Sequence, residues 1–532
     1  MAKPPTIYFI LLLAASCFFS VEAISNVTRR RKSFYIKGIA YQPQGTQILG
    51  TVTDTSSDNP FLEPDTFTDP LADGAGCTRD LPFLQELTVN TVRVYSVNAS
   101  LDHDSCMSTF SSAGIYAIID LALPLNGSID TSSPSWGTNI LDQYLETIHV
   151  FSKYDNVLAF NVGNEVILTG QTAVAAYIKA AARDIKAYLN SIGSSALVGY
   201  ASIDGDSTFR DPVANYLSCD PSNTNSGSTS IDLYGLNNYE WCGASSFEAS
   251  YAGVEADFAG YNVAAYFSEF GCITSPPRLW TEVAALFSSQ MSDVWSGGVA
   301  FSYFPATSSQ GQFGMVNISS DGTTVTTSAD FTRLQAQYNV TSPPTTPSKG
   351  SSSPTYPSCP GQNSSFAASS SLPPTPNLAA CQCLESTFGC HFNPPISNYS
   401  GLIGPLINTA CGGSCNDIGG NGTTGVYGRL SGCDPTIQLS FTMNEYYELN
   451  GMNPESCSFG GNGTVNPLGA SGTAAAMAAE TSCVSSPSAT FVPTLPSTFA
   501  TASSGSGSSS SGSTSAKNGA APLIARDHLL DY

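Results

Sequence analysis

The chain has 532 residues, more than a single hydrophobic core organises, so two domains plus tails are expected. Only 11% of the residues are charged and the net charge is -22, which speaks against a nucleic-acid or anionic-lipid partner and suits a neutral ligand or an acidic extracellular setting.

Lys3, the apolar run from Ile7 to Phe19 and the small-residue site Val21-Glu22-Ala23 read as a secretory signal over residues 1–23. Cys17 leaves with it, and the remaining cysteines are then even in number in an oxidising compartment. Sequons at Asn26, Asn98, Asn126, Asn317, Asn339, Asn363, Asn398, Asn421 and Asn462 agree with secretion. Arg29-Arg30-Arg31-Lys32 reads either as a processing site or as a solvated arm.

From residue 33 to 340 short apolar strands alternate with helix-like segments. The expected strands are Tyr35–Gln42, Thr91–Val97, Tyr116–Leu123, Val157–Gly163, Leu197–Ser202, Ile231–Tyr239, Val263–Ser268 and Gly298–Tyr303. Between them lie Leu81–Leu87, Leu141–Lys153, Ala173–Leu189, Phe247–Phe258 and Leu279–Ser289 as helices. This alternation predicts a (β/α)8 TIM barrel, an α/β fold whose chemistry sits at the C-terminal rim of the strands. No glycine-rich phosphate loop follows the first strand, which argues against a doubly wound sheet.

Two of these strands run apolar and then close on a glutamate, Glu165 after Gly163-Asn164 and Glu269 after Phe267-Ser268. Glutamates on two barrel strands can face one sugar from opposite sides, one as general acid/base and the other as nucleophile, at ~5 to 5.5 Å for a retaining pair. Glu165 then has to be protonated at rest, which the negative neighbour Glu269 favours. Other polar residues gather at the same level: Gln42, Arg93, Tyr95, Asp120, Asn164, Asp204, Asp206, Arg210, Asn238, Tyr239 and Tyr303. Sugar hydroxyls call for amides, acids and an arginine, and pyranose faces call for tyrosines.

Residues 341–377 are rich in Ser, Pro and Thr and read as an extended linker. Residues 378–485 hold Cys381, Cys383, Cys390, Cys411, Cys415, Cys433, Cys457 and Cys483, which describes a small disulfide-rich module. Its pairing does not follow from spacing. Residues 486–532 are a Ser/Gly-rich tail. No metal, phosphate or flavin motif appears, so no cofactor is expected, and no histidine stands beside the cysteines at zinc-ligand spacing.

Gly38-Ile39-Ala40-Tyr41-Gln42-Pro43, Arg93-Val94-Tyr95, Leu101-Asp102-His103, Gly163-Asn164-Glu165-Val166, Asn238-Tyr239-Glu240-Trp241-Cys242-Gly243 and Ser268-Glu269-Phe270-Gly271-Cys272 resemble the fungal wall β-1,3-glucanosyltransferases of glycoside hydrolase family 72. The resemblance implies Glu165 as acid/base and Glu269 as nucleophile. It places Gln42, Tyr95, Asp120, Asn164, Tyr239 and Tyr303 around the donor sugar, with Asn164 on its 2-hydroxyl. The implied partners are β-1,3-glucan donor and acceptor chains, handled by a monomer. A hydrolytic endo-β-1,3-glucanase and a non-catalytic glucan-binding wall protein are the alternatives. Two positions depart from the family pattern: Phe301-Ser302-Tyr303 has serine where a glutamate usually stands, and Asp204-Gly205-Asp206 replaces an Asn-Asp-Asp run.

The same resemblance implies the pairs Cys77–Cys106, Cys242–Cys272 and Cys219–Cys359. The Cys-x-Cys start, Ile407-Asn408, Gly425-Val426-Tyr427-Gly428 and Phe441 to Tyr447 resemble carbohydrate-binding module family 43, which implies Cys381–Cys433, Cys383–Cys483, Cys390–Cys457 and Cys411–Cys415. Tyr446 and Tyr447 either stack on sugar or fill the small core. A lipid anchor is implied near Asn518-Gly519-Ala520, yet Ala521 to Tyr532 carries Arg526, Asp527, His528 and Asp531 instead of an apolar tail. The expectation is a protein of the wall or outer membrane face, joined to a membrane only through a GPI anchor.

Overall fold

The computed structural model describes residues 27–29, 32–45, 66–124, 127–341, 355–411, 415–470 and 473–496. The expected signal segment, most of residues 341–354 and the tail beyond 496 lie outside these. Among the described residues no helix is long and apolar enough to cross a membrane.

Eight parallel strands close into a barrel: β1 Ile36–Ala40, β2 Thr91–Val94, β3 Tyr116–Asp120, β4 Val157–Asn164, β5 Leu197–Ile203, β6 Leu233–Asn237, β7 Ala264–Phe270 and β8 Trp295–Ala300. β8 pairs with β1 and completes the ring. The long interstrand helices are α1 Gly74–Glu86, α2 Asp104–Ser112, α3 Thr138–Phe151, α4 Ala175–Ser191 and α5 Ser207–Ser218. The segment expected as one helix over 247–258 is two short ones, α6 Phe247–Ser250 and α7 Ala252–Phe258, and α8 Glu282–Leu286 and α9 Ala329–Val340 finish the layer. The sequence reading had no helix at α2 or α5. Four of the nine residues of α2 are serine, so its apolar stripe is thin, and α5 carries Pro212 in its interior, which in sequence reads as a break.

Ile36, Ala40, Ile118, Leu158, Ala159, Leu233, Ala264, Tyr266 and Val299 fill the barrel interior. Strand β8 begins three residues before its expected start. Gly297 has φ 93°, and a Cβ there would lie 2.2 Å from Ile36 O, so glycine lets β8 approach β1 instead of ending it.

All seven implied disulfides are present. The module contains α10 Leu378–Glu385, α11 Ser400–Ala410, α12 Pro435–Leu449 and α13 Thr473–Cys483 around two small apolar clusters. Tyr447 is 7% exposed and belongs to one of them, whereas Tyr446 is 37% exposed on the outside of α12.

The described part of the linker is bound along the barrel. Phe366 is fully buried against Tyr216, the Ala367 amide donates to Thr172 Oγ1 at 2.8 Å, and Cys359 joins Cys219. Asp184 accepts from both Thr375 Oγ1 and Trp136 Nε1 at 2.8 Å, which holds the end of the strap on α4 and the loop that precedes α3. The module then docks on the same side: the Thr138 amide donates to Gly432 O at 3.0 Å, and Tyr177 meets Tyr427 edge to face at 5.7 Å.

Candidate active site

Above the apolar filling, the barrel carries a buried polar layer made by β2, β3, β4, β6 and β7. Two glycines make room for it. A Cβ on Gly199 would fall 2.3 Å from Asn161 Oδ1, and one on Gly235 would fall 2.6 Å from Ser268 Oγ. Asn161 in turn donates to Asp120 at 2.6 Å.

Arg93 is the centre of the layer and is fully buried. Its guanidinium donates to Asp120 Oδ2 at 2.7 Å, Asn164 Oδ1 at 2.7 Å, Glu269 Oε1 at 3.2 Å, Ser268 O at 3.1 Å and Asn237 Oδ1 at 3.4 Å. It also lies 4.2 Å from the centre of the Tyr95 ring. A lysine has one compact donor group and cannot span these partners, so the site requires the planar fork.

Glu269 is 5% exposed and accepts three hydrogen bonds, from Arg93 and Tyr95 OH on Oε1 and from Tyr239 OH on Oε2, the tyrosines at 2.8 and 2.7 Å. Burial pushes its carboxyl above the usual range, while Arg93 and the two hydroxyls pull it back. Glu165 follows β4 in the left-handed region at φ 53°, a conformation that costs a non-glycine residue about 1 kcal/mol or more and is found where structure over-determines it. Its amide donates to Ala201 O at 2.9 Å, and its Oε1 accepts from Asn237 Nδ2 at 2.7 Å. Thus both glutamates reach one hydrogen-bonded cluster, with Asn237 and Arg93 between them.

The structure brings Tyr95, Asp120, Asn164, Glu165, Tyr239 and Glu269 together, and it gives other work to the remaining expected residues. Gln42 Oε1 accepts from the Tyr95 and Ser96 amides at 3.1 Å while its Nε2 donates to Thr68 O, so it shapes the loop carrying Tyr95. Asp120 is 2% exposed with its oxygens bonded to Arg93 and Asn161, so it holds Arg93 in place. Asp206 is exposed and caps α5 through the Thr208 amide. Arg210 is 5% exposed and paired with Asp204 and Asp257. Tyr303 has no exposed surface; it packs on Tyr41 and Phe304 and faces Asp80, out of reach of a sugar in this conformation. Ser302 donates to Phe304 O at 2.7 Å and so closes on its own backbone.

Asn237 and Phe313 are the site residues that sequence reading missed. Period-two alternation contained the signal for the first: Asn237 shares a strand face with Tyr239, whereas Asn238 points the other way and donates to Asp204. Phe313 lies on a loop far along the chain and joins Phe301, Tyr95 and Tyr239 in an aromatic wall, with ring centres 5.3, 6.2 and 5.8 Å apart along it.

A (β/α)8 barrel presenting two glutamates and tyrosines at the C-terminal rim has the build of a glycoside-processing enzyme. Residues 16–342 match the family described as glucanosyltransferase and residues 389–464 match the X8 domain; the chain belongs to the glucanosyltransferase family. It is 41% identical over 451 residues to the 1,3-beta-glucanosyltransferase gas1 of Schizosaccharomyces pombe, covering 83% of this chain and 78% of that one. It is 37% identical to gas2 of the same organism, covering 86% of this chain and 98% of that protein. The structure of Saccharomyces cerevisiae Gas2p in complex with laminaritriose and laminaritetraose is similar at a TM-score of 0.71 and 33% identity, covering 82% of this chain and 94% of that one.

Proposed function

We propose that this chain is a retaining β-1,3-glucan glucanosyltransferase of the wall in which Glu165 is the acid/base and Glu269 the nucleophile. The observation that carries the assignment is the single cluster holding both glutamates, one on Asn237 and the other on Arg93, Tyr95 and Tyr239. Family membership and the laminari-oligosaccharide complex of a relative support the substrate.

In the first half-reaction Glu269 attacks the anomeric carbon as Glu165 gives its proton to the departing glycosidic oxygen, leaving a glycosyl ester. Asn164 Oδ1 is held by Arg93 and Asn237, which leaves its amide nitrogen for the 2-hydroxyl of the donor sugar. In the second half-reaction Glu165 takes the proton from the non-reducing-end hydroxyl of another glucan, whose oxygen displaces Glu269 and restores the β configuration. The aromatic wall favours a sugar over water at that step.

The N-terminal apolar run and the sequons support secretion to the wall or the outer membrane face. The X8 module is read as a glucan-binding unit fixed to the barrel.

The test is to incubate the purified protein with a reduced laminarin oligosaccharide and follow product sizes by mass spectrometry, beside Glu165→Gln and Glu269→Gln. Products longer than the input, lost in both variants, are expected. Shorter products alone would make the enzyme an endo-β-1,3-glucanase, a reading favoured by Ser302, whose hydroxyl turns to its own backbone where a glutamate usually stands. No products from the intact protein would leave glucan binding.

A further inference from the structure

We infer that Asn237 is a positioning residue that fixes which oxygen of Glu165 carries the transferable proton and couples that proton to the covalent state of Glu269. This rests on the roles assigned above to the two glutamates.

Asn237 ends β6 opposite Glu269 on β7 and is 3% exposed. The orientation of its amide is decided by its neighbours. A guanidinium has only donors, and Arg93 Nη1 lies 3.4 Å from Asn237 Oδ1, which also accepts from Ser268 Oγ at 2.7 Å. The amide nitrogen therefore faces the acceptors, Glu165 Oε1 at 2.7 Å and Asn164 Oδ1 at 3.2 Å. An oxygen that accepts this N–H is a poor place for the acid proton, so the proton belongs on Oε2.

A continuous path follows: Glu269 Oε1, Arg93, the Asn237 amide, Glu165 Oε1. The titratable groups facing it from the surrounding strands are Asp120 on β3, Tyr95 after β2, Tyr200 on β5, Tyr239 after β6 and Tyr266 on β7. When Glu269 becomes an ester its charge is lost, and Arg93 keeps Asp120 as its remaining anionic partner. The guanidinium then polarises the Asn237 carbonyl more strongly, which strengthens N–H donation to Glu165 and favours its carboxylate form. That is the form the second half-reaction requires. In the first step the proton leaves Glu165 Oε2 for the leaving oxygen as the Glu269–C1 bond forms. In the second it returns to Oε2 from the acceptor hydroxyl as that bond breaks.

The experiment compares the intact chain with Asn237→Ala and the near-isosteric Asn237→Asp on two donors, a laminarioligosaccharide and an aryl β-laminarioside with a nitrophenol leaving group that departs without protonation. Thermal unfolding and laminarioligosaccharide binding confirm the fold, and Asn237→Asp serves where the alanine variant does not fold. Transfer from the natural donor is expected to fall about 100-fold in kcat with KM little changed, while release of the nitrophenol falls by less than about tenfold. The basic limb of kcat/KM should move to higher pH, because a lost hydrogen bond to the carboxylate keeps Glu165 protonated further. Equal losses on both donors, or an unmoved basic limb, overturn the role. Full natural-donor activity in Glu165→Gln overturns the acid/base assignment itself, independently of Asn237.

Discussion

Arg93 and Glu269 form an ion pair at 3.2 Å in which the cation has no exposed surface, and the same guanidinium reaches Asp120 at 2.7 Å. One cation thus serves two buried carboxylates. Arg93→Lys should keep the fold but lose simultaneous contact with Glu269, Asp120 and Asn164, lowering kcat by roughly 100-fold or more. Arg93→Met should cost about 3–5 kcal/mol of stability, because it leaves buried charge unpaired. Steady-state kinetics and thermal unfolding of the two variants check this.

Glu269 must be ionised to attack, and burial raises its pKa while Tyr95 and Tyr239 lower it. The acid limb of activity therefore lies above the ordinary carboxylate range. Tyr239→Phe removes a donor that favours the ionised form, so this limb should shift to higher pH, with a loss of about 10- to 100-fold in kcat below it. A pH profile of kcat/KM on a laminarioligosaccharide measures the shift.

Tyr303 is fully buried beside Tyr41. Tyr303→Phe should leave KM for glucan unchanged and lower stability by less than about 1 kcal/mol, since the hydroxyl faces Asp80 without a formed hydrogen bond. A several-fold rise in KM without loss of stability would instead return this side chain to the sugar site.

Glu282 is 3% exposed, and burial pushes its carboxyl from the ordinary 4.5 up to about 7. The native state keeps a proton that the unfolded chain loses above pH 4.5. Its stabilising effect is present below that pH and fades as pH rises through about 7, by no more than about 3 kcal/mol. Buried Lys179, pushed down from 10.5 to about 7, acts in the opposite sense, since there the unfolded chain holds the extra proton and stability recovers as pH rises further. Unfolding temperatures from pH 4 to 10 should dip near neutrality, and Glu282→Gln should flatten the acidic side.

Cys219–Cys359 ties the strap to the barrel across 140 residues. Cys219→Ser with Cys359→Ser should cost about 2–5 kcal/mol and expose residues 355–376 to protease, read by unfolding temperature and limited proteolysis.

Much of this molecule is legible in its sequence. Each of the eight strands contains a mainly apolar run, because a strand buried on both faces admits polar residues only where they find partners. Glu165 and Glu269 are visible because a charge at the end of such a run needs a reason. Helices α2 and α5 are not visible, α2 because its serines thin the apolar stripe and α5 because Pro212 inside it reads as a break. Asn237 is hidden for another reason: two neighbouring amides look alike until strand parity sends one to Glu165 and the other to Asp204.

The sequence by itself determined the barrel, the stapled module and the two carboxylates, because periodicity, cysteine number and strand-end acids are local properties of the chain. Only the tertiary structure decided which polar residues meet. It set Gln42 and Asp120 to hold neighbours in place, turned Asp206 and Tyr303 away from the cluster, added Phe313 to the wall and bound the strap to α4. Hydrogen bonds act over about 3 Å between residues that lie tens to hundreds of positions apart, so their partners are fixed by barrel closure and strand register.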